Sequence, residues 1–157
     1  MSWIREQFTF TDLQRMLFRL SEHVRAFQGL TPAEISDLLG SSEKCTFGPG
    51  VHIVKEGSVG AHMYIILSGE ALVLKSGRDG PVELARLVPA DSFGEMALAD
   101  NEARSASVVA DTDCVLVRIN DQIINARPET GLKVYRNIAK VLSARLRAAD
   151  ELLAWRL

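Results

Sequence analysis

The sequence predicts an α+β chain: an antiparallel β jelly-roll barrel of about eight strands, flanked by N-terminal helices and a long C-terminal helix. Three observations carry that prediction. Apolar residues near both ends recur at three- and four-residue steps, the period of an amphipathic helix. The middle of the chain is built instead of short apolar runs divided by glycine turns, which read as strands. Those runs follow one another with regular turn signals, the pattern of a sandwich or barrel.

The helical N-terminal zone, residues 1–40, contains two elements. Leu13, Met16, Leu17, Leu20, Val24 and Phe27 share one face, which predicts a helix over Asp12–Phe27. Thr31-Pro32-Ala33-Glu34 reads as an N-cap, a proline at the first helical position and a capping-box glutamate. Gly40 closes that second helix.

The barrel zone spans residues 41–120. Val51–Lys55 is a strand and Glu56–Gly60 a turn. His62–Leu67 is the next strand, with a tight corner at Ser68-Gly69. Ala71–Lys75 runs into a hairpin loop over Ser76–Gly80, and Val82–Leu87 returns. Ser107–Ala110 and Cys114–Ile119 complete the set. The last zone, 121–157, is helical: a short helix over Asp121–Ala126, then a long one opened by Pro128 and running to Trp155. Leu132, Tyr135, Ile138, Leu142, Leu146, Ala149 and Leu153 form one stripe on it, close to a coiled-coil seam. Val134, Ile138, Val141, Ala148, Leu152 and Trp155 form a second, overlapping stripe. So wide an apolar arc implies two surfaces, one against the barrel and one for another partner.

At 157 residues the chain fits one domain with a real core. A formal charge of −2 argues against a protein that grips a nucleic-acid backbone. No apolar run is long enough for a transmembrane helix, so no membrane insertion is expected. The N-terminus lacks the basic and apolar regions of a secretory signal, and a cytoplasmic location is expected. Cys45 and Cys114 lie far apart and read as buried thiols rather than a disulfide. His23, His52 and His62 have no metal-ligand spacing, so no metal site is expected. Ser105 and Ser107 sit in no nucleophile elbow and have no evident histidine partner, so no catalytic residue and no enzyme activity are expected.

The most informative stretch is Phe93-Gly94-Glu95-Met96-Ala97-Leu98, followed by Arg104-Ser105-Ala106-Ser107-Val108. It brings one carboxylate and one guanidinium to the two ends of a short loop. Phe93 and Val108 anchor the loop in a core. Arginine offers a planar fork to phosphate oxygens. Glutamate accepts hydrogen bonds from vicinal hydroxyls. Together they suit a ligand with a phosphate close to a sugar hydroxyl. The plain alternative is an exposed Glu95–Arg104 ion pair, worth little.

The segment resembles the phosphate-binding cassette of cyclic nucleotide-binding domains, the family of bacterial cyclic AMP receptor proteins, kinase regulatory subunits and cyclic nucleotide-gated channels. The family pattern runs F-G-E-aliphatic-A-L, a short loop, then R-small-A-S/T-V, and residues 93–108 follow it. The spacing of Gly57, Gly60 and Gly69 around Met63–Leu67 is also similar. One departure is Ala103, where many members carry proline; its absence loosens the approach to Arg104.

The resemblance implies a ligand, cyclic AMP or cyclic GMP, and no other cofactor. Arg104 would clamp the cyclic phosphate, with the Ser105 hydroxyl and the Ala106 N–H as further donors. Glu95 would take the ribose 2′-hydroxyl. Gly94, Met96 and Ala97 would form the start of a short helix, beginning near Gly94-Glu95, whose N-terminus favours an anion. Val73 and Leu87 would wall the base. Arg145 and Arg147 read as solvated, or as caps on the base. The implied role is a sensor that relays binding through its flanking helices, either to an unidentified effector protein or to a homodimer partner through the C-terminal helix. The alternative is a ligand-free interaction or scaffold module that keeps the barrel.

Overall fold

Two four-stranded antiparallel sheets form the centre of the molecule, in the orders β1-β8-β3-β6 and β2-β7-β4-β5. The computed structural model describes residues 3–156; Met1, Ser2 and Leu157, at the ends of the terminal zones, lie outside the described residues. In chain order the elements are α1 (Trp3–Gln7), α2 (Phe10–His23), a 3-10 turn (Arg25–Phe27) and α3 (Pro32–Gly40). Then come β1 (Glu43–Phe47), β2 (His52–Val54), β3 (His62–Ser68), β4 (Ala71–Gly77), β5 (Gly80–Leu87) and β6 (Ser92–Phe93). After α4 (Ala97–Asp100) follow β7 (Ser107–Ala110), β8 (Cys114–Asn120), α5 (Asp121–Asn125) and α6 (Pro128–Arg156). This is the jelly roll with flanking helices that the sequence predicts. Among the described residues no helix is long and apolar enough to cross a membrane.

β3 explains how the layers meet. Its sequence is an unbroken apolar run because both faces are covered. Met63, Ile65 and Leu67 face the helices, packing in one cluster with Leu17, Leu20, Phe27 and Ile138. Tyr64 and Ile66 face the barrel interior with Ile53, Val108 and Leu116. β8 divides the same way, with Val117 and Ile119 toward the helices and Cys114 and Leu116 inward. The register pairs Met63 with Ile119 and Ile66 with Leu116. A change of one residue in that register would turn each core face to the wrong side.

Several local expectations are corrected. The predicted helix over Asp12–Phe27 stops at His23. Val24 is extended at φ −85°, ψ 107°, and Arg25–Phe27 form the separate 3-10 turn. A residue distant in sequence holds that turn. The buried Asn137 amide on α6 donates to Ala26 O at 3.0 Å and Gln28 O at 2.7 Å. The two bonds tie that turn to α6. The capping box at α3 is half formed: Thr31 Oγ1 accepts from Glu34 N at 3.2 Å. The Glu34 carboxylate instead meets Lys133 Nζ of α6 at 2.8 Å. Gly40 is the last residue of α3, but the cap is Ser41 in right-handed geometry, not a left-handed glycine. The β4–β5 hairpin is tighter than expected, since Gly77 already pairs with Gly80. Cys45 is half-buried rather than buried, whereas Cys114 is buried; both are free thiols.

α6 corrects the stripe expectation too. Val134 and Ile138 are buried, and Tyr135, Val141 and Leu142 half-buried, but Leu132 stands 71% exposed. From Ser143 to Arg156 the helix is exposed throughout. At about 1.5 Å per residue, that is roughly 20 Å of exposed helix. Thr31→Ala should lower stability by about 1 kcal/mol through loss of the α3 cap. Thermal denaturation should show the midpoint falling by about 2–4 °C for a chain of this size. An unchanged midpoint would rule out a role for that cap.

Candidate functional site

The segment between β6 and β7 folds over the mouth of the second sheet. Phe93 is held by stacking on Tyr64, with ring centroids 5.0 Å apart and planes 9° from parallel. Gly94 follows at φ 80°. A residue with a side chain is strained there. Ala97 N then donates to Gly94 O at 3.1 Å and Leu98 N to Glu95 O at 3.2 Å, so tight turns precede α4. The helix itself covers only Ala97–Asp100, later and shorter than the expected start near Gly94-Glu95. Four residues carry little macrodipole, so the burden of holding an anion shifts to Arg104 and to individual N–H groups. Asn101 ends the helix in left-handed geometry at φ 55°, which asparagine tolerates. The loop needs no proline at Ala103, because Ala103 forms a β-bridge with Val59.

Arg104 is positioned from several sides. Its backbone N donates to Ser58 O at 2.7 Å, and its carbonyl accepts from Gly57 N at 2.8 Å. Its Nη2 donates to His62 O at 2.8 Å. Its Cζ lies 6.0 Å from the Tyr64 ring centroid, within cation–π reach. A Cβ placed on Gly94 would lie 2.5 Å from Arg104 Nη1, and one on Gly60 would lie 3.1 Å from Nη2. The two glycines therefore leave the room that the guanidinium fills. Burial, with Arg118 and Arg104 nearby, holds the His62 imidazole below its ordinary value, so it adds no charge beside Arg104 near neutral pH. Glu95 Oε1 accepts from Ser92 Oγ at 2.6 Å. Among the described residues Glu95 and Arg104 do not pair with each other, and His62 O is the only acceptor the Arg104 side chain has. Donors of the fork and the second carboxylate oxygen remain open to a ligand.

Both groups line one cavity of about 350 Å³. Gly94, Glu95, Met96, Ala97, Arg104, Ser105, Ala106 and Val73 all contribute to its wall. Leu87 does not; it lines a neighbouring cavity of about 400 Å³ against α6, with Val141 and Leu142. The reason is register. Val73 pairs with Ala85, whereas Leu87 pairs with Ala71, the first residue of β4, and is followed by Val88 and Pro89. Ser92, Glu95, Met96 and Arg145 border both cavities. Arg145 Nη1 reaches Met96 Sδ at 3.0 Å, so the α6 arginine sits over the cassette; Arg147 lines neither space. The sequence reading missed Val54, Ser92, Asp100 and Glu102 in the first cavity. It also missed Tyr64 behind Arg104. Of these, Ser92, Asp100 and Glu102 lie within a few residues of Glu95 or Arg104, whereas Val54 and Tyr64 come from other strands and carry no local signal.

The fold is thus a jelly roll whose glycine-flanked cassette sets Arg104 and Glu95 on the wall of one cavity. Residues 44–126 match the cyclic nucleotide-binding domain family, and the chain belongs to that family. It is similar to the cAMP-dependent protein kinase regulatory subunit of Aspergillus fumigatus, with 33% identity over 125 residues, 74% of this chain and 30% of that protein. It is 34% identical over 125 residues to the cyclic AMP receptor protein of Thermus thermophilus, 79% of this chain and 58% of that one. The crystal structure of Thermus thermophilus catabolite activator protein superposes with a TM-score of 0.73 at 33% identity, over 83% of this chain and 62% of that chain. The chain thus spans under a third of the kinase regulatory subunit and over half of the bacterial receptor.

Proposed function

We propose that this chain is a receptor for a cyclic nucleotide, cyclic AMP or cyclic GMP, and acts as a sensor rather than a catalyst. One observation carries the reading: Arg104 and Glu95 line one cavity and each keeps hydrogen-bonding capacity that the described residues do not use. The phosphate sits at Arg104, with the Ser105 hydroxyl and Ala106 N–H beside it. The ribose 2′-hydroxyl donates to Glu95. Val73 supports the base on the barrel side, and Gly94, Met96 and Ala97 close the floor. The named relatives are a kinase regulatory subunit and a cyclic AMP receptor, which supports a regulatory role and favours cyclic AMP.

The relay runs through α6. Arg145 touches the cassette at Met96, while the helix beyond it, residues 146–156, is exposed. A ligand that binds one cassette position better than another biases where that helix lies, by no more than its differential affinity. The output is an effector protein or a second copy of the chain, received by the exposed Leu146, Leu152, Leu153 and Trp155.

A ligand-free scaffold is the competing reading, and the contact of Arg104 with His62 O favours it, since the guanidinium is partly satisfied already. Thermal denaturation with cyclic AMP, cyclic GMP and 5′-AMP separates the two. At a hundred times Kd a cyclic nucleotide stabilises the receptor by about 2.7 kcal/mol. The midpoint then rises by about 5–10 °C, and 5′-AMP does little. A flat response to both cyclic nucleotides leaves the scaffold.

A further inference from the structure

We propose that Lys75 is a positioning residue for the site: by holding the Ser105 carbonyl from outside the cavity, it aims the Ala106 N–H at the bound phosphate. The inference rests on the cyclic nucleotide reading of the cavity.

The segment 103–107 is gripped on one side by the turn before β3. Gly57 N donates to Arg104 O at 2.8 Å, Arg104 N to Ser58 O at 2.7 Å, and Glu56 N to Ser107 Oγ at 2.9 Å. On the other side Ser107 already pairs with Leu74 of β4. Between these anchors the Ser105 carbonyl has no backbone donor among the described residues. Lys75 Nζ supplies one.

Lys75 is itself braced. Its ammonium lies 2.9 Å from Glu56 Oε1. Glu56 Oε2 accepts from Ser76 N at 3.0 Å and Ser76 Oγ at 2.9 Å. The Lys75 ammonium and the two Ser76 donors hold the Glu56 carboxyl down to about 2, so it stays charged through any physiological acidity. An exposed ion pair of this kind adds little to folding stability. Its geometry matters more than its energy.

A trans peptide points its C=O and N–H in opposite directions, and no cis bond occurs among the described residues. Ser105 C=O and Ala106 N–H belong to the same peptide plane. With the carbonyl turned to Lys75, the N–H faces the other way. Ala106 lines the cavity, whereas Lys75 and Glu56 do not. The Ala106 N–H has no acceptor among the described residues. It is a donor held open, and the plane that carries it is fixed from behind. Without Lys75 that plane is free to rock, and a charge-assisted hydrogen bond to phosphate loses its alignment.

The test titrates the full chain and its K75M, K75R and E56Q variants with cyclic AMP by calorimetry. Ligand-free melting checks folding, and the Ala106 amide resonance reports the hydrogen bond. K75M should keep its ligand-free midpoint and bind about tenfold more weakly, part of the worth of one hydrogen bond to a charged group. K75R, which keeps the donor and the charge, should stay within about twofold of the original. The ligand-induced shift of the Ala106 amide should shrink in K75M and persist in K75R. Equal binding by K75M and the original chain overturns the inference alone, as does an equal loss in K75R. Should K75M fail to fold, E56Q takes its place: about threefold weaker binding is expected from its slackened hold on Lys75, and unchanged binding overturns the proposal. If the unaltered chain binds neither cyclic AMP nor cyclic GMP, the cavity reading itself fails and takes this inference with it.

Discussion

Arg104→Ala should bind cyclic nucleotide roughly 10- to 150-fold more weakly, the equivalent of about 1.5–3 kcal/mol for a hydrogen bond to a charged group. Arg104 is the one cation that the cassette itself places on the cavity wall, since Arg145 arrives from α6. The fold should survive. Among the described residues the guanidinium makes one hydrogen bond, to His62 O, and a cation–π contact with Tyr64. Losing them costs about 1–2 kcal/mol of stability. Calorimetric titration alongside melting checks both halves. An unchanged Kd in a folded R104A protein would refute the role given to this residue.

Gly94→Ala should also reduce affinity, by about tenfold or more, and for a different reason. The added Cβ would lie 2.5 Å from Arg104 Nη1 and 2.9 Å from His62 O. The carbonyl belongs to β3, which is paired on both sides with β6 and β8, so it cannot retreat. The guanidinium must move instead, out of the position from which it faces the cavity. The left-handed backbone at φ 80° adds about 1–2 kcal/mol of strain. Gly29→Ala is the control. Gly29 has φ 79° with nothing within 4 Å of an added Cβ and lies outside the cavity, so it should lose stability and keep affinity. If G94A and G29A both melt earlier and both bind normally, the close approach of Gly94 to Arg104 has no bearing on the ligand.

What was legible in the sequence follows from how local its cause is. The double burial of β3 shows as an unbroken apolar run, because each face needs only its own alternate residues. The cassette is legible because Gly94, Glu95 and Arg104 lie within one short loop. The break of α2 at Val24 is not: the helical period continues through Phe27, and the turn that replaces its last residues is held by the Asn137 amide reaching back from α6. The exposure of Leu132 is hidden in the same way, since it depends on how α6 rotates against the 3-10 turn. The misplacement of Leu87 comes from strand pairing, where the bulge between Val73 and Leu74 and the position of Leu87 opposite Ala71 fix which cavity each residue meets. Tyr64 and Lys75 reach the cassette across strands, and no spacing in the chain announces either.

The central claim is that Arg104 and Glu95 bind the two polar ends of a cyclic nucleotide. Crystallography of the protein grown with cyclic AMP tests it most directly. The account predicts the cyclic phosphate against the Arg104 fork and the 2′-hydroxyl on Glu95, inside the cavity walled by Val73 and Ala106. A vacant cavity at saturating ligand, or a nucleotide held elsewhere with Arg104 touching only His62 O, would contradict it.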